Sequence, residues 1–589
     1  MTHTWRFFRV YVAPLWRWYV VGVALVLVTN ALSVRVPVEL AHGLDALRAA
    51  TPGAGADMAV ATAAIRIAVI GVVVIVVRSI SRIAFFTPGR LAEFSLREDL
   101  FSHLLRLQPD FYARCVTGDL LSRATTDVTY ARAVAGFATL QLVNIVAALG
   151  FGVTQMALLS PLLTCVTIIP IALGFLSVRL GVGRMFALQR LAQRQIAELS
   201  DDLLGALGGV ATIQAFDVER VFVDRLSARA AELRATNLSM AWLRALVFPV
   251  LTVASGVSVY LLLAVGGPRA LATGDPSPGE LAAFVALLAY LLVPIRLLGI
   301  IVPVFQRSEA GLERIHEVFD TSPDRPELAG TPAPQGEGGP TIEVRGLTYA
   351  YPDAPDRPVL RDVSVVLPPG STVGVYGATG SGKTTLLRLL ARLRNPPPNT
   401  VFIDGADVRT LDLDVWRSRL ATVAQSPFLF SETIRENIGF GADEAAIEAA
   451  ATAASLRTDL AQLPDGLDTL VGERGVSLSG GQRQRVALAR GLLRTADVEL
   501  LDDVLSAVDH ATEQEIVRVL KRRRSRARTP PTRLVVSLRM SALEVCDEVL
   551  VLDRGSLVDR GPHRELVERP GPYRDAWLAQ RGPPPSDGA

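Results

Sequence analysis

Eight consecutive residues have the chain's most chemically defined spacing: Gly377-Ala378-Thr379-Gly380-Ser381-Gly382-Lys383-Thr384. They follow the apolar run Thr372-Val373-Gly374-Val375-Tyr376 and open into Thr385-Leu386-Leu387-Arg388-Leu389-Leu390. That context reads as strand, loop and helix, which turns the pattern G-x-x-x-x-G-K-[ST] into a phosphate-binding loop. Its glycines let backbone N–H groups curl around an anion at a helix N-terminus, where the helix adds its partial positive charge. Lys383 is placed to reach the β- and γ-phosphates of a nucleotide, and the Thr384 hydroxyl to hold Mg2+. Of 60 basic residues only Lys383 and Lys521 are lysines. A compact ammonium suits a crowded phosphate site better than a broad guanidinium does.

Six further features stand around this loop in a fixed order. Tyr349-Ala350-Tyr351-Pro352 precedes it and offers an aromatic able to stack on a base. The strand-like Val423-Ala424-Gln425 follows, and the Gln425 amide oxygen could complete a Mg2+ and water shell. Next come Val471-Gly472-Glu473-Arg474-Gly475 and then Leu478-Ser479-Gly480-Gly481-Gln482. The glycines and the Ser479 hydroxyl of the second lead into an arginine-bearing helix, a second anion-binding helix start. The apolar strand Val498-Glu499-Leu500-Leu501 ends in Asp502-Asp503, which sets a carboxylate beside the bound metal. Ser506-Ala507-Val508-Asp509 and Val535-Val536-Ser537-Leu538-Arg539 close the series.

The elements that position these residues belong to only half of the chain. At 589 residues it is too long for one core. Half of its residues are hydrophobic, a fifth are charged and its mean hydropathy is +0.34. Its net charge of +2 gives no case for a nucleic-acid partner. Cys115, Cys165 and Cys546 lack metal-ligand spacing and read as reduced thiols. Six apolar segments, at about 18–40, 62–86, 134–157, 160–181, 240–266 and 279–304, each approach the roughly 20 residues that span a bilayer. Residues 1–17, with Arg6, Arg9 and Arg17 among aromatics, suit an interfacial helix. No cleavable signal peptide is expected, because the apolar stretch that follows is too long.

The links between spans alternate. Short ones carry little charge, whereas two long ones have a helical pattern and are rich in arginine, from Arg90 to Arg132 and from Arg184 to Arg234. The positive-inside bias puts the long links and both termini in the cytoplasm. Each long link has a tip with a glycine and exposed apolar residues, at Leu104–Val128 and Gly208–Arg220, which read either as docking tips or as solvated hairpins. Within the spans Arg35, Arg66, Arg296, Gln141, Asn144 and Gln155 are polar exceptions. They either line a path or snorkel and bond between helices. Residues 321–340 are rich in Pro and Gly and read as a linker. The run Lys521–Arg528 reads as a solvated loop between helix and strand, and Pro583–Ala589 as a disordered tail.

Taken together, these motifs resemble a half-transporter of the ATP-binding-cassette superfamily over nearly the whole length. The resemblance implies an α-helical membrane domain of six transmembrane helices (1–320), a linker (321–340), an α/β P-loop nucleotide-binding domain (341–580) and a tail (581–589). In that family two nucleotide domains close head to tail, and each ATP lies between one phosphate loop and the other chain's LSGGQ. The tips resemble its coupling helices. The resemblance makes Tyr351 the base-stacking aromatic and assigns ATP to Gly377 through Thr385 with Gln425. It assigns Mg2+ to Thr384, Gln425 and Asp502, the X-loop acid to Glu473 and the D-loop to Asp509. Leu478, Ser479, Gly480, Gly481 and Gln482 would contact the ATP of a partner chain.

Two positions depart from the family pattern. A glutamate that orients the attacking water normally follows the magnesium aspartate, and here Asp503 stands in its place. The switch histidine is replaced by Leu538. Aspartate withdraws the carboxylate by one methylene, roughly 1.5 Å, and a misplacement near 1 Å can cost about a hundredfold in rate. Leucine offers the γ-phosphate neither proton nor hydrogen bond.

The expectation is therefore a chain that binds Mg-ATP, turns it over slowly, and lends its signature to a second, different half-transporter. The whole resembles one subunit of the bacterial heterodimeric multidrug exporters of the plasma membrane, handling hydrophobic or amphipathic compounds. An importer or lipid flippase on the same fold, and an ATP-gated channel or sensor, are the alternatives.

Overall fold

The computed structural model describes residues 2–49, 56–323, 339–472, 478–526 and 529–581. Glu473, most of the linker and residues 582–589 lie outside them. The chain divides into two compact units, one of Met1–Ser102 with Gly118–Asp320, the other of His103–Thr117 with Thr321–Ala589.

The first unit is helical. Its helices include α1 (Trp16–Ser33), α2 (Arg35–Ala49), α3 (Ala56–Arg106, which leaves the unit at Ser102), α5 (Thr139–Leu159), α6 (Pro161–Gly208), α7 (Val210–Ala215), α8 (Glu219–Thr273) and α9 (Pro278–Asp320). The short α4 (Pro109–Arg114) belongs to the second unit. Phe284, Leu287, Leu288 and Leu291 of α9 pack with Met156 of α5, Leu163 of α6 and Leu262 of α8 in one apolar core. Val69, Val72, Ile75 and Val76 of α3 stay exposed, as expected of residues that meet lipid rather than water, since a helix satisfies its own backbone groups in hydrocarbon. Four stretches, His3–Arg48, Val60–Arg106, Thr117–Leu159 and Thr252–Thr273, are long and apolar enough to cross a membrane. Two more, Pro161–Ser177 and Pro278–Pro294, are apolar but shorter among the described residues and sit inside α6 and α9. The N-terminal residues are helical and fastened to α9: Thr4 bonds Glu309, and Arg6 pairs with Asp320 at 3.0 Å.

The second unit holds two sheets. The smaller, in the order β2-β1-β4-β5, is antiparallel and made of β1 (Ile342–Ala350), β2 (Pro358–Leu367), β4 (Val401–Ile403) and β5 (Ala406–Asp407). The larger runs β10-β9-β3-β8-β7-β6. In it β3 (Thr372–Tyr376), β6 (Leu420–Val423), β7 (Val498–Asp502), β8 (Thr532–Val536) and β9 (Glu548–Asp553) are parallel, and β10 (Ser556–Gly561) is an antiparallel edge. The strands β7 and β8 are buried at every position, as central strands of a parallel sheet are, and the two opposite charges within them, Glu499 and Arg533, pair with each other at 2.6 Å. Parallel strands need crossover helices, and here these include α10 (Lys383–Leu390), α11 (Gly480–Leu493) and α12 (His510–Arg526). The last helix corrects the expectation of a loop at Lys521–Arg528: residues 521–526 continue α12, and Arg524 pairs with Asp547 at 2.7 Å.

Candidate functional site

In an open parallel sheet, ligands bind beyond the carboxyl ends of the strands. Four neighbouring strands here deliver the singled-out residues to that one edge. The phosphate loop leaves β3, Leu538 follows β8, Asp502 ends β7, and Gln425 lies two residues past β6. The register aligns them, with Val375 beside Val536, Asp502 beside Val536, and Val423 beside Leu501.

The loop's shape depends on glycine. Gly382 has φ +98°, and a Cβ there would stand 2.9 Å from the Val359 carbonyl oxygen; only glycine meets both demands without strain. Lys383 follows directly at the start of α10, and its ammonium donates to the carbonyls of Gly377 (2.7 Å) and Ala378 (2.9 Å). Ala378, Thr379 and Gly380 form the exposed crest, while Ser381 is buried beneath it. Burial lowers the Lys383 pKa, against the pull of the Asp503 and Asp502 carboxylates. Burial likewise raises that of Asp502, which is 5% exposed, and the hydrogen bond to Thr384 opposes this. Thr384, Gln425 and Asp502 line one cavity of about 190 Å3. A hydroxyl, an amide and a carboxylate supply the hard oxygen donors that suit Mg2+, so the residues present fit that ion.

Asp503 has φ +49°, a left-handed conformation that aspartate tolerates better than most side chains. Its N–H donates to the Val536 carbonyl (2.9 Å), and its carboxylate accepts from the Gln425 amide (3.2 Å). The Leu538 carbonyl accepts from Gln580 at 2.7 Å. The structure thus gathers Lys383, Thr384, Gln425, Asp502 and Asp503 at a single edge, with Leu538 just past the adjoining strand.

Tyr351 lies on the flank of this edge. Its hydroxyl and that of the buried Thr385 are 2.8 Å apart, and the Arg394 guanidinium lies 4.5 Å over its ring. Arg394 also forms an ion pair with Asp110 of α4, and Arg114 pairs with Asp353 at 2.9 Å. Of the two tips, then, α4 is held within the second unit, whereas α7 in the first unit is followed by Phe216, which is 73% exposed. Residues Gly118–Val128 of the expected first tip lie in the first unit, so the segment held in the second unit ends at Thr117.

The signature residues form a different face. Ser479 caps α11: its hydroxyl accepts from the Gln482 N–H (3.2 Å), and the Gln482 side-chain oxygen accepts from the Ser479 N–H (2.9 Å). This reciprocal box satisfies two of the helix's unpaired donors. A Cβ at Gly481 would stand 2.7 Å from the Ala507 carbonyl oxygen, so glycine lets the segment 506–509 approach. Leu478 is 4% exposed and packs in the core with Val486 and Leu505. Its apolar side chain anchors the loop from inside. Asp509 accepts from the Thr512 N–H (3.0 Å) and caps α12.

Three connecting residues make contacts that the sequence analysis assigns to none of them. Gln484, 6% exposed, bonds the Ser506 hydroxyl (2.8 Å), the Gln425 carbonyl (3.3 Å) and the Ala507 N–H (3.0 Å). Arg539 ties the strand β8 exit to the Val508 carbonyl (2.8 Å) and to buried Glu513. Arg394 is the third. Only Gln484 left a signal, as a polar residue on the otherwise apolar face of α11.

Residues 360–506 match the family described as "ABC transporter", and residues 19–295 the "ABC transporter transmembrane region". The chain is 33% identical to the "Multidrug resistance-like ATP-binding protein MdlA" of Escherichia coli (strain K12), over 96% of this chain and 95% of that one. It is 34% identical to an "ATP-dependent lipid A-core flippase" of Aromatoleum aromaticum, over 81% and 78%. A solved structure described as a bacterial Atm1-family ABC exporter with ATP bound superposes with TM-score 0.78 at 26% identity, over 98% of this chain and all of the other.

Proposed function

The chain belongs to the ABC transporter family, and we propose that it is one subunit of a heterodimeric ATP-driven exporter in a bacterial plasma membrane, with both termini and the nucleotide-binding domain in the cytoplasm. The family's exporter half, a helical membrane domain fused to an ATP-binding α/β domain, is the established part. The heterodimer and the division of labour between two sites are our reading.

The backbone of Gly377–Gly382 and Lys383 bind and orient the phosphates of ATP, and Tyr351 stacks on its base. Thr384, Gln425 and Asp502 would hold Mg2+, which would supply positive charge against the phosphates. Asp503 carries the charge of a water-orienting carboxylate on a shorter arm, and Leu538 has no polar atom to offer a leaving phosphate. Turnover at this site is slow, while Ser479, Gly480, Gly481 and Gln482 close over the partner chain's ATP and complete a working site there. The observation that carries this reading is the pairing of an altered Asp503 and Leu538 with a complete Leu478–Gln482 signature in one chain.

A second reading, a lipid flippase, is favoured by relatives bearing that name; a vesicle assay for movement of lipid between leaflets separates it from export of other amphiphiles. Native mass spectrometry of the tagged chain, expressed mildly in its own host, tests the assembly. One copy of this 63.2 kDa chain with a different chain of similar size, carrying Glu and His at the matching positions, is the expected result. A complex of two identical copies overturns the heterodimer.

A further inference from the structure

A cavity of about 340 Å3 lies inside the first unit, between α1, α3, α5 and α9. Its polar lining is Asn30, Arg78, Arg82, Gln141, Asn144 and Tyr290, with two small hydroxyls. The sequence reading singled out Gln141 and Asn144 but passed over Arg78 and Arg82, although both lie in the apolar stretch 62–86. The other arginine of that stretch, Arg66, is paired with Glu39 at 3.4 Å, which accounts for it. Arg78 stands twelve residues further along α3, about 18 Å at 1.5 Å per residue, and Arg82 is one turn beyond on the same face. Neither side chain makes an intramolecular hydrogen bond or ion pair among the described residues, and both are exposed.

The rest of the lining sharpens this. Asn30 is fully used: its amide nitrogen donates to Asn144 Oδ1 (3.1 Å) and to the Val26 carbonyl (2.8 Å), and its oxygen accepts from the Tyr290 hydroxyl. That network fixes the Asn144 amide with its NH2 left over. Gln141 adds a further amide with no protein partner among the described residues. No carboxylate lines the cavity, and residues 62–86 and 139–159 contain none. Cations at membrane depth are costly unless they are paired or face a polar cavity, and among the described residues no carboxylate pairs with Arg78 or Arg82. Two guanidiniums in fork geometry, backed by amide donors, match the oxygens of a phosphate, sulfate or carboxylate.

We propose that this cavity is the headgroup subsite for the transported molecule, and that it selects amphiphiles with an anionic head over neutral or cationic ones. The inference rests on the exporter reading above. The surrounding apolar helices take the tail, and the uncompensated positive charge repels a cationic head of the same size.

The test is binding of dodecyl phosphate to the full-length complex in a neutral detergent, counted by native mass spectrometry without nucleotide, with Mg-ATP binding measured separately. Saturable binding of dodecyl phosphate is expected, at least tenfold tighter than that of dodecyltrimethylammonium. R78Q/R82Q is expected to lose that preference, and R78K/R82K to keep most of it, while Mg-ATP affinity stays unchanged in both. R66Q should leave binding intact. Equal binding of the cationic probe, unaltered binding by R78Q/R82Q, or uptake that never saturates (arginines merely reaching anionic lipid at the interface) overturns the subsite. Inorganic phosphate binding as tightly as dodecyl phosphate would make it an ion site and overturn the amphiphile assignment. Loss of Mg-ATP binding in the unmodified complex would instead count against the exporter reading, since the amphiphile assay does not depend on it.

Discussion

Two surfaces of the second unit, the edge that carries the phosphate loop and the face that carries Leu478–Gln482, differ in how closely they keep the family pattern. At the phosphate-loop edge, the backbone cradle, Lys383, Thr384 and Asp502 are all in place, but Asp503 and Leu538 stand where the family pattern expects a glutamate and a histidine. On the signature face, Ser479, Gly480, Gly481 and Gln482 are intact and locked by a capping box. The difference teaches that holding a nucleotide and breaking it are separable. Holding relies on N–H groups and a fixed ammonium, which survive substitution of neighbouring side chains. Hydrolysis depends on the reach of one carboxylate and on one polar group at the γ-phosphate, where an ångström decides the rate.

The strongest way to break the comparison is to restore the altered edge. D503E/L538H is expected to raise ATP turnover at this chain's own site by about a hundredfold, measured by phosphate release with the partner's own site disabled. No gain would mean that something other than these two side chains limits the site. A second, smaller effect belongs to the other face. G481V drives a side chain toward the Ala507 carbonyl, 2.7 Å from the Cβ position. It is expected to lower turnover of the whole complex about tenfold while leaving ATP affinity at this chain's phosphate loop unchanged. Equal loss at both sites would contradict their separation. The smallest effect sharpens the binding half. R394A removes the cation over Tyr351 and the partner of Asp110; a cation–π contact of about 1 kcal/mol corresponds to roughly fivefold weaker ATP binding, read by equilibrium titration. R394K, which keeps the charge but not the planar face, should recover only part of it.

The sequence carries the phosphate loop and the signature in full because each is a contiguous run whose spacing is the chemistry. The apolar segments are legible for the same reason, since hydropathy over some twenty residues needs no tertiary contact. Where one helix stops is less so: α3 continues unbroken from Ala56 to Arg106, past the apolar run and through the arginines that read as a link. The helical end of α12 is not legible in the sequence because arginines look solvated in either a loop or a helix, and the ion pair Arg524–Asp547 joins residues 23 apart. Arg394 was invisible for a stronger reason. Its partners Tyr351 and Asp110 are far away along the chain, and nothing local to Arg394 distinguishes it from the other arginines.

By itself, then, the sequence determined the two-part architecture, the phosphate-loop pattern of residues 377–384, the departures at Asp503 and Leu538, and the complete Leu478–Gln482 run. Each of these is written in residue identities at short range. Only the tertiary structure decided which strands stand side by side, so that β3, β8, β7 and β6 bring one lysine, one threonine, one glutamine and two aspartates to a single edge. It also decided that Leu478 points into the core, that Arg394 bridges Tyr351 and α4, and that Arg78 and Arg82 share a cavity with amides and no carboxylate. The physical reason is the same throughout. Strand pairing and side-chain contact are made between residues tens to hundreds of positions apart, and only packing of the whole unit chooses among the many pairings that local pattern permits.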